Sequence, residues 1–471
     1  MKKFFYSFLL LAVFLPAARA QQPKPNVVII FIDDMGYGDL GCYGNTQAQT
    51  KNIDALARQG TRFTQFYVNS PVCSPSRVAM MTGQYPARHQ FYTYLADRKK
   101  NAENGMPDFL PATVPTLAKM MRANGYATAH IGKWHLGGGR DVGDAPLPSE
   151  YGFDKSFTSF EGLGDRTLTM ADNLNRQSAA LGRGHITEAP QHQQTEMYVD
   201  SALVFVKGIG DRPFLLNFFP NDVHDPYNPV EGAEKEFAAL TDNVHQQKFL
   251  ATLKELDKQI GRLLAGLDKM GKLQNTLILL TSDNGPTDWP HYYKNGGLPP
   301  CSAGDLHGRK WSLYEGGIRV PFIAVWPGNI PAGKVNDRAV MSVVDIVPTV
   351  AALTGAATPA GYRSDGDNES RILLGGKQKA GRDIYWYYTN KPVPGKAENI
   401  SPVLAIRSGK WKLLMNPDGS DMQLFNLEED HRETKDVAAE EKKKAKALRA
   451  RLEKWYAEVV QKSAKQPSKR I

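Results

Sequence analysis

Cysteine is almost absent: Cys42, Cys73 and Cys301 are the three in a chain of 471 residues. So sparse a set excludes a disulfide-stapled scaffold, and an odd number leaves at least one thiol unpaired. Spacing leaves a Cys42–Cys301 pair open. Long apolar runs are also missing once Ala20 is passed, so no later segment is a candidate for spanning a bilayer as a helix. There is no internal repeat. Nor does the body of the chain carry a large charge of one sign. The formal net charge of +9 falls to +6 without Lys2, Lys3 and Arg19, and residues 431–471 hold thirteen Lys or Arg against six acids, or +7. Residues 21–430 are left at about −1. The surplus belongs to one face of a C-terminal helix whose apolar stripe is Leu448, Leu452, Trp455 and Val459. That reads as a solvated face, so nucleic acid is not an expected partner.

What is present begins with a secretory signature. Lys2 and Lys3 precede an apolar run from Phe4 to Phe14, and Ala18-Arg19-Ala20 forms a small-x-small cleavage site. The expectation is a signal peptide over 1–20 and an exported protein, periplasmic or secreted, with no stable membrane insertion. With 41% hydrophobic residues, the chain can bury a large core.

Apolar, β-branched runs occur at Val27–Ile32, Ala127–Ile131, Phe214–Phe219, Thr276–Thr281 and Phe322–Trp326. Between them lie helical patterns closed by glycine: Ile53–Gln59, Leu117–Asn124 and Phe249–Met270. Alternating strands and helices predict an α/β fold with a large mixed, mostly parallel sheet flanked by helices over 21–355. After about Ala356 the texture changes to Gly- and Asp-rich, then to aromatic β-rich segments and the basic helix. This predicts a smaller antiparallel sheet with a closing helix over 356–471.

Ligands in parallel sheets collect beyond the carboxyl ends of the strands. The chemically informative residues sit there: Asp33-Asp34 after the first run, Lys133 and His135 after the second, His224 after the third, Asp283-Asn284 after the fourth. Asp33, Asp34, Asp283 and Asn284 offer three carboxylates and an amide carbonyl, hard oxygen donors suited to Ca²⁺ or Mg²⁺. Lys133 and His135 are one residue apart and would share a face in an extended segment.

The densest motif is Cys73-Ser74-Pro75-Ser76-Arg77, followed by Thr82-Gly83-Gln84-Tyr85-Pro86-Ala87-Arg88-His89. Pro75 suits the first turn of a helix, and Ser76–Thr82 reads as a helix ended by Gly83. Cys73 therefore sits at a helix N-terminus, with Arg77 on the same turn, where an anion is welcome. In these residues the chain resembles the formylglycine-dependent sulfatases, of the alkaline-phosphatase-like superfamily. Gly132-Lys133-Trp134-His135-Leu136-Gly137, the segment Gly308–Pro321 around Lys310, Asp345–Thr349, Arg407–Leu413 and Leu424–Leu427 extend the resemblance from Asn26 to about Val437.

The resemblance implies a sulfuric ester hydrolase in which a maturation enzyme oxidises Cys73 to formylglycine. It implies a metal, usually Ca²⁺, on Asp33, Asp34, residue 73, Asp283 and Asn284, with Mg²⁺ as the alternative. It assigns Arg77, Lys133 and Lys310 to the sulfate, His135 to the diol proton and His224 to the leaving group. The small residue and Pro that usually precede that histidine are replaced here by Asp222 and Val223. Loop aromatics (Trp289, Tyr292, Tyr293, Tyr385, Trp386, Tyr387) point to a sulfated carbohydrate cut from its end, with galactose or N-acetylgalactosamine sulfate drawn from the family. Arg140, Asp165, Arg166 and His307 are the candidate substrate-binding residues. A phosphomonoester or phosphonate hydrolase of the same superfamily, and a catalytically silent glycan-binding protein, remain as alternatives.

Overall fold

Asn26–Ile32 forms β1, buried along its whole length because it lies at the centre of a sheet covered on both faces. Its side chains alternate. Val27, Ile29 and Phe31 enter one apolar cluster and Val28, Ile30 and Ile32 the other, so the strand divides the two halves of the core. The computed structural model describes residues 23–378, 382–389 and 394–464, so the signal-like segment 1–20 lies outside the described residues.

The other strands of the large sheet are β2 (Thr61–Tyr67), β3 (Ala127–Lys133), β4 (Lys155–Ser159), β5 (Arg166–Leu168), β6 (Ile186–Glu188), β7 (Phe214–Phe219), β8 (Thr276–Ser282), β9 (Arg319–Val325), β10 (Lys334–Asn336) and β11 (Met341–Ser342). Their order is β10-β2-β9-β8-β1-β7-β3-β4-β5-β6, with β11 beside β2. Every pairing is parallel except those of β9, which runs against both β2 and β8. One core cluster packs the helices Cys73–Thr82, Leu117–Ala123 and Ile346–Thr354 on one face. The other packs Lys51–Gln59, Gln191–Gly208 and Val244–Lys269 on the opposite face.

A second sheet, β12 (Asp383–Tyr387), β13 (Leu404–Ser408), β14 (Trp411–Met415) and β15 (Gln423–Asn426), is antiparallel throughout. The helix Lys442–Trp455 closes it, burying Leu448, Leu452 and Trp455. Its side chains join the cluster on the Cys73 side of the large sheet, so the two sheets share one core. Trp386 belongs to that core at 1% exposure, and Tyr385 stacks on Trp455 at 5.1 Å. These aromatics hold the small sheet together and offer no open sugar platform. Among the described residues, no helix is long and apolar enough to cross a membrane.

Candidate active site

Nearly all the chemically active side chains converge beyond the carboxyl ends of the central strands of the large sheet. β1 delivers Asp33 and Asp34, β8 delivers Asp283 and Asn284, and β3 ends on Lys133. After β2 the chain enters the helix Cys73–Thr82, which starts three residues earlier than the sequence pattern suggests, so Cys73 is its first residue. Gly83, at φ 66°, ends the helix with its N–H on the Ala79 carbonyl at 2.8 Å. All ten helix residues are buried, Arg77 included.

The turn after β7 places His224. Ser159 Oγ and Tyr198 Oη both donate to Asn221 Oδ1, at 2.6 and 3.0 Å, and the His224 N–H bonds the Asn221 carbonyl at 3.0 Å. Val223 N–H reaches the Asp33 carbonyl at 3.0 Å, so the histidine turn is stitched to the metal-type carboxylates. Lys310 is held by its N–H on the Pro286 carbonyl (2.9 Å) and by Trp311 N–H on the Pro71 carbonyl (3.1 Å).

Within this frame three cations face three carboxylates. Lys133 Nζ donates to Asp33 Oδ2 at 2.5 Å, Lys310 Nζ to both oxygens of Asp34 at 2.7 and 2.6 Å, and Arg77 Nη2 to Asp283 Oδ2 at 2.6 Å. Arg77 also lies over the Phe31 and Phe219 rings, at 5.6 and 5.7 Å. Cys73 Sγ is 3.5 Å from Asp33 Oδ1 and 3.9 Å from Asp34 Oδ1. His224 Nε2 is 3.2 Å from Lys310 Nζ and 3.5 Å from Asp34 Oδ2.

Burial raises all three carboxyls. For Asp33 and Asp34 the neighbouring cations, Lys133 and Lys310 foremost, more than reverse it, whereas Asp283 stays raised because Asp33 adds its own charge. Burial and the Asp283 charge push the Cys73 thiol well above its ordinary value. Burial holds His135 far below the imidazole range, with Lys133, Arg77 and Arg140 adding to it, which keeps the ring neutral.

The donor set suits a hard divalent ion. Ligand atoms of Asp33, Asp34, Cys73 and His224 lie within 4.8 Å of one another. Asp283 joins through its Oδ1 on the Asp34 N–H at 3.1 Å. Asn284 Nδ2 donates to Asp34 Oδ1 at 2.7 Å, while its Oδ1 is buried with no hydrogen-bond partner among the described residues. An orphaned amide oxygen beside clustered carboxylates fits a place in the shell of a cation. The carboxylates that would take such an ion are the same ones now held by Lys133, Lys310 and Arg77.

Some expectations meet a different geometry. Lys133 and His135 do not share a strand face: β3 ends at Lys133 and His135 turns to φ 52°, with Nε2 3.4 Å from the Leu95 carbonyl. Cys42 and Cys301 are both free thiols, not a disulfide. Arg166 spends its guanidinium on the carbonyls of Gly164, Ser178, Gly182 and Arg183, and Asp165 accepts the His185 N–H at the sheet edge. His307 stacks on Tyr314 and bonds the Glu398 carbonyl. Among the described residues, no hydrogen bond, ion pair or ring contact of these three reaches the Cys73 cluster. Arg140 is paired with Glu161, which the sequence did not single out, and lies near His135. The signal available for Glu161 was its place two residues after β4, just before Gly162-Leu163-Gly164.

Comparison with known proteins agrees with this geometry. The Sulfatase family model matches residues 25–356, and a model of the N-sulphoglucosamine sulphohydrolase C-terminal region matches 307–462. Arylsulfatase A of Homo sapiens is 34% identical over 427 residues, covering 86% of this chain and 78% of that protein. The N-acetylgalactosamine-6-sulfatase of Canis lupus familiaris is 33% identical, covering 79% and 70%. Among solved structures, Ps i-CgsB in complex with k-i-k-neocarrahexaose superimposes with a TM-score of 0.76 at 29% identity, over 94% of each chain. With the family model spanning most of its length and its buried acid–lysine cluster set beyond the strand ends, this chain belongs to the sulfatase family and is a sulfuric ester hydrolase.

Proposed function

We propose that the protein is an exported sulfatase that removes sulfate from the end of a sulfated carbohydrate, with residue 73 acting as formylglycine. The observation that carries this reading is the arrangement of Arg77, Lys133 and Lys310 against Asp33, Asp34 and Asp283 around a buried Cys73. The GalNAc-6-sulfatase relative and the oligosaccharide-bound neighbour support a galactose or N-acetylgalactosamine sulfate as substrate.

Asp33, Asp34, Asp283, Asn284 and residue 73 would hold Ca²⁺, or Mg²⁺ in its place, which supplies positive charge to the sulfate oxygens. Formylglycine, made from Cys73 by a maturation enzyme, supplies a hydrated carbon with two hydroxyls, one to attack sulfur and one to expel sulfate. A serine has only one. The chain's own residues do the rest. Arg77, Lys133 and Lys310 neutralise the sulfate and orient it for in-line attack. His224 protonates the departing sugar oxygen, alone or with Lys310 at 3.2 Å. His135 takes the proton that sulfate release requires. Residues 21–355 would be the catalytic domain that carries these groups, and 356–471 a C-terminal subdomain.

The test uses protein made with a formylglycine-generating enzyme, peptide mass spectrometry at position 73, and a panel of defined sulfated mono- and disaccharides beside a matched phosphate ester. Sulfate release should track the fraction of converted residue 73. Full activity with intact Cys73, or phosphate release exceeding sulfate release, would overturn the reading.

A further inference from the structure

We propose that Glu161 and Arg140 form a hydroxyl-reading pair at the edge of the site, which selects a sugar ring bearing one sulfate beside free, adjacent hydroxyls. This rests on the carbohydrate sulfatase reading above and narrows its substrate class.

The pair is built next to the chemistry. β3 and β4 end in register at Lys133 and Ser159, and the pairing continues past the strands as Trp134 N–H to the Ser159 carbonyl (3.2 Å) and His135 N–H to the Phe160 carbonyl (3.0 Å). The Phe160 ring meets His135 edge-on at 4.9 Å and lies 5.1 Å from Lys133 Nζ. Glu161 follows directly. Burial raises the Glu161 carboxyl above its ordinary range, against the pull of Arg140 and, more weakly, of Lys133, so both cations lie close to it.

The backbone here is held in a conformation that residues other than glycine seldom adopt. His135, Arg140, Phe160 and Glu161 have φ of 52°, 53°, 33° and 56°. With Asp34 and Trp311 they make six of the ten such non-glycine residues among those described, so the strain gathers around the site. Glu161 is 4% exposed, and Gly139 makes room for it: a Cβ at 139 would lie 2.6 Å from Glu161 Oε2. Arg140 Nε donates to Glu161 Oε1 at 2.8 Å. Among the described residues, no hydrogen bond reaches Glu161 Oε2 or either Nη of Arg140.

Glu161 thus keeps one carboxylate oxygen, and Arg140 its two Nη groups, available to a ligand. The pair as a whole is neutral and offers one acceptor and several donors. Two neighbouring hydroxyls, each able to give and take a hydrogen bond, complement that set. A second sulfate or a ring carboxylate would meet the Glu161 charge, which a lone arginine would not impose.

The test compares matured wild type with Glu161→Gln on four substrates: a monosulfated hexose with free neighbouring hydroxyls, its deoxy analogue, a disulfated analogue and an aryl sulfate. Expected is a loss of kcat/KM of about 10- to 100-fold on the monosulfated hexose, the scale of one hydrogen bond to a charged group. The loss on the aryl sulfate should be at least tenfold smaller. Wild type should discriminate against the deoxy and disulfated analogues, and the variant should lose most of that discrimination. Equal losses on sugar and aryl substrates would assign the pair a structural role and overturn the proposal, as would a wild type indifferent to the analogues. A wild type that cleaves the aryl sulfate but no sulfated sugar would instead remove the carbohydrate reading itself.

Discussion

His224 differs from Arg77, Lys133 and Lys310 by its access to solvent, with 33% of its side chain exposed against 3% for Lys133. A group that protonates a leaving alcohol belongs at such a mouth, whereas a group that holds sulfate belongs in the interior. Sugar alkoxides leave poorly without a proton and nitrophenolate leaves readily. His224→Ala should therefore lower kcat/KM on a sugar sulfate by roughly 10²- to 10⁴-fold and on an activated aryl sulfate far less. Lys133→Ala should depress both alike, because both need the charge beside Asp33. Parallel losses for His224→Ala would make the histidine a sulfate ligand, with Lys310 the better proton donor. Most of this cluster was legible in the sequence, because Asp33, Asp34, Lys133, Asp283 and Asn284 each follow an unmistakable apolar strand. Glu161 was not, since β4 reads KSFTS and carries little apolar signal. Arg166 and His307 looked available for a related reason: a polar loop residue does not reveal that backbone carbonyls have already taken its donors.

At the scale of elements, two strands depend on local exceptions. β9 begins at Arg319, three residues before its apolar run suggests, and Pro321 lies inside it. Pro321 is tolerated because the register with β2 shifts between Phe63 and Phe66, so the residue without an N–H falls at a bulge. Arg319 Nε then donates to the Thr64 carbonyl at 2.7 Å, in the unpaired stretch. Sequence periodicity cannot announce a bulge, because it arises from the partner strand. β3 has the opposite dependence, on a single glycine just before Lys133. Gly132 has φ 110°, and a Cβ there would lie 2.0 Å from the Phe219 carbonyl oxygen on β7. Neither the backbone nor the neighbour can absorb that. Gly132→Ala should cost about 1–3 kcal/mol of stability and also displace Lys133, so melting temperature and kcat/KM should fall together. An unchanged melting temperature would show that β3 and β7 can part locally at little cost.

The whole molecule is held together by charge as well as by the shared apolar core. Lys412 on β14 is fully buried and pairs with Glu315 Oε1 at 2.9 Å and Glu433 Oε1 at 2.8 Å, while Tyr67 on β2 donates to Glu315 Oε2 at 2.6 Å. One buried lysine thus ties the small sheet to the segment that follows Lys310. Removing it strands two carboxylates, so Lys412→Met should destabilise by about 3–5 kcal/mol. Burial and the Glu315 charge raise Glu433 from 4.5 to about 7. Between those values the folded protein keeps a proton that the unfolded chain releases, so this contribution is complete below pH 4.5 and fades as pH rises through 7. Glu315 has the opposite sign: burial would raise it, but Lys412 and the neighbouring arginines lower it, and its contribution fades only as pH falls below 4.5. Glu433→Gln imitates the protonated acid and still offers an oxygen to the Glu315 N–H. Its melting temperature should match wild type near pH 4 and exceed it at pH 8. A variant less stable than wild type at pH 8 would show that Glu433 works as a carboxylate, and that the lysine is shared by two charges rather than one.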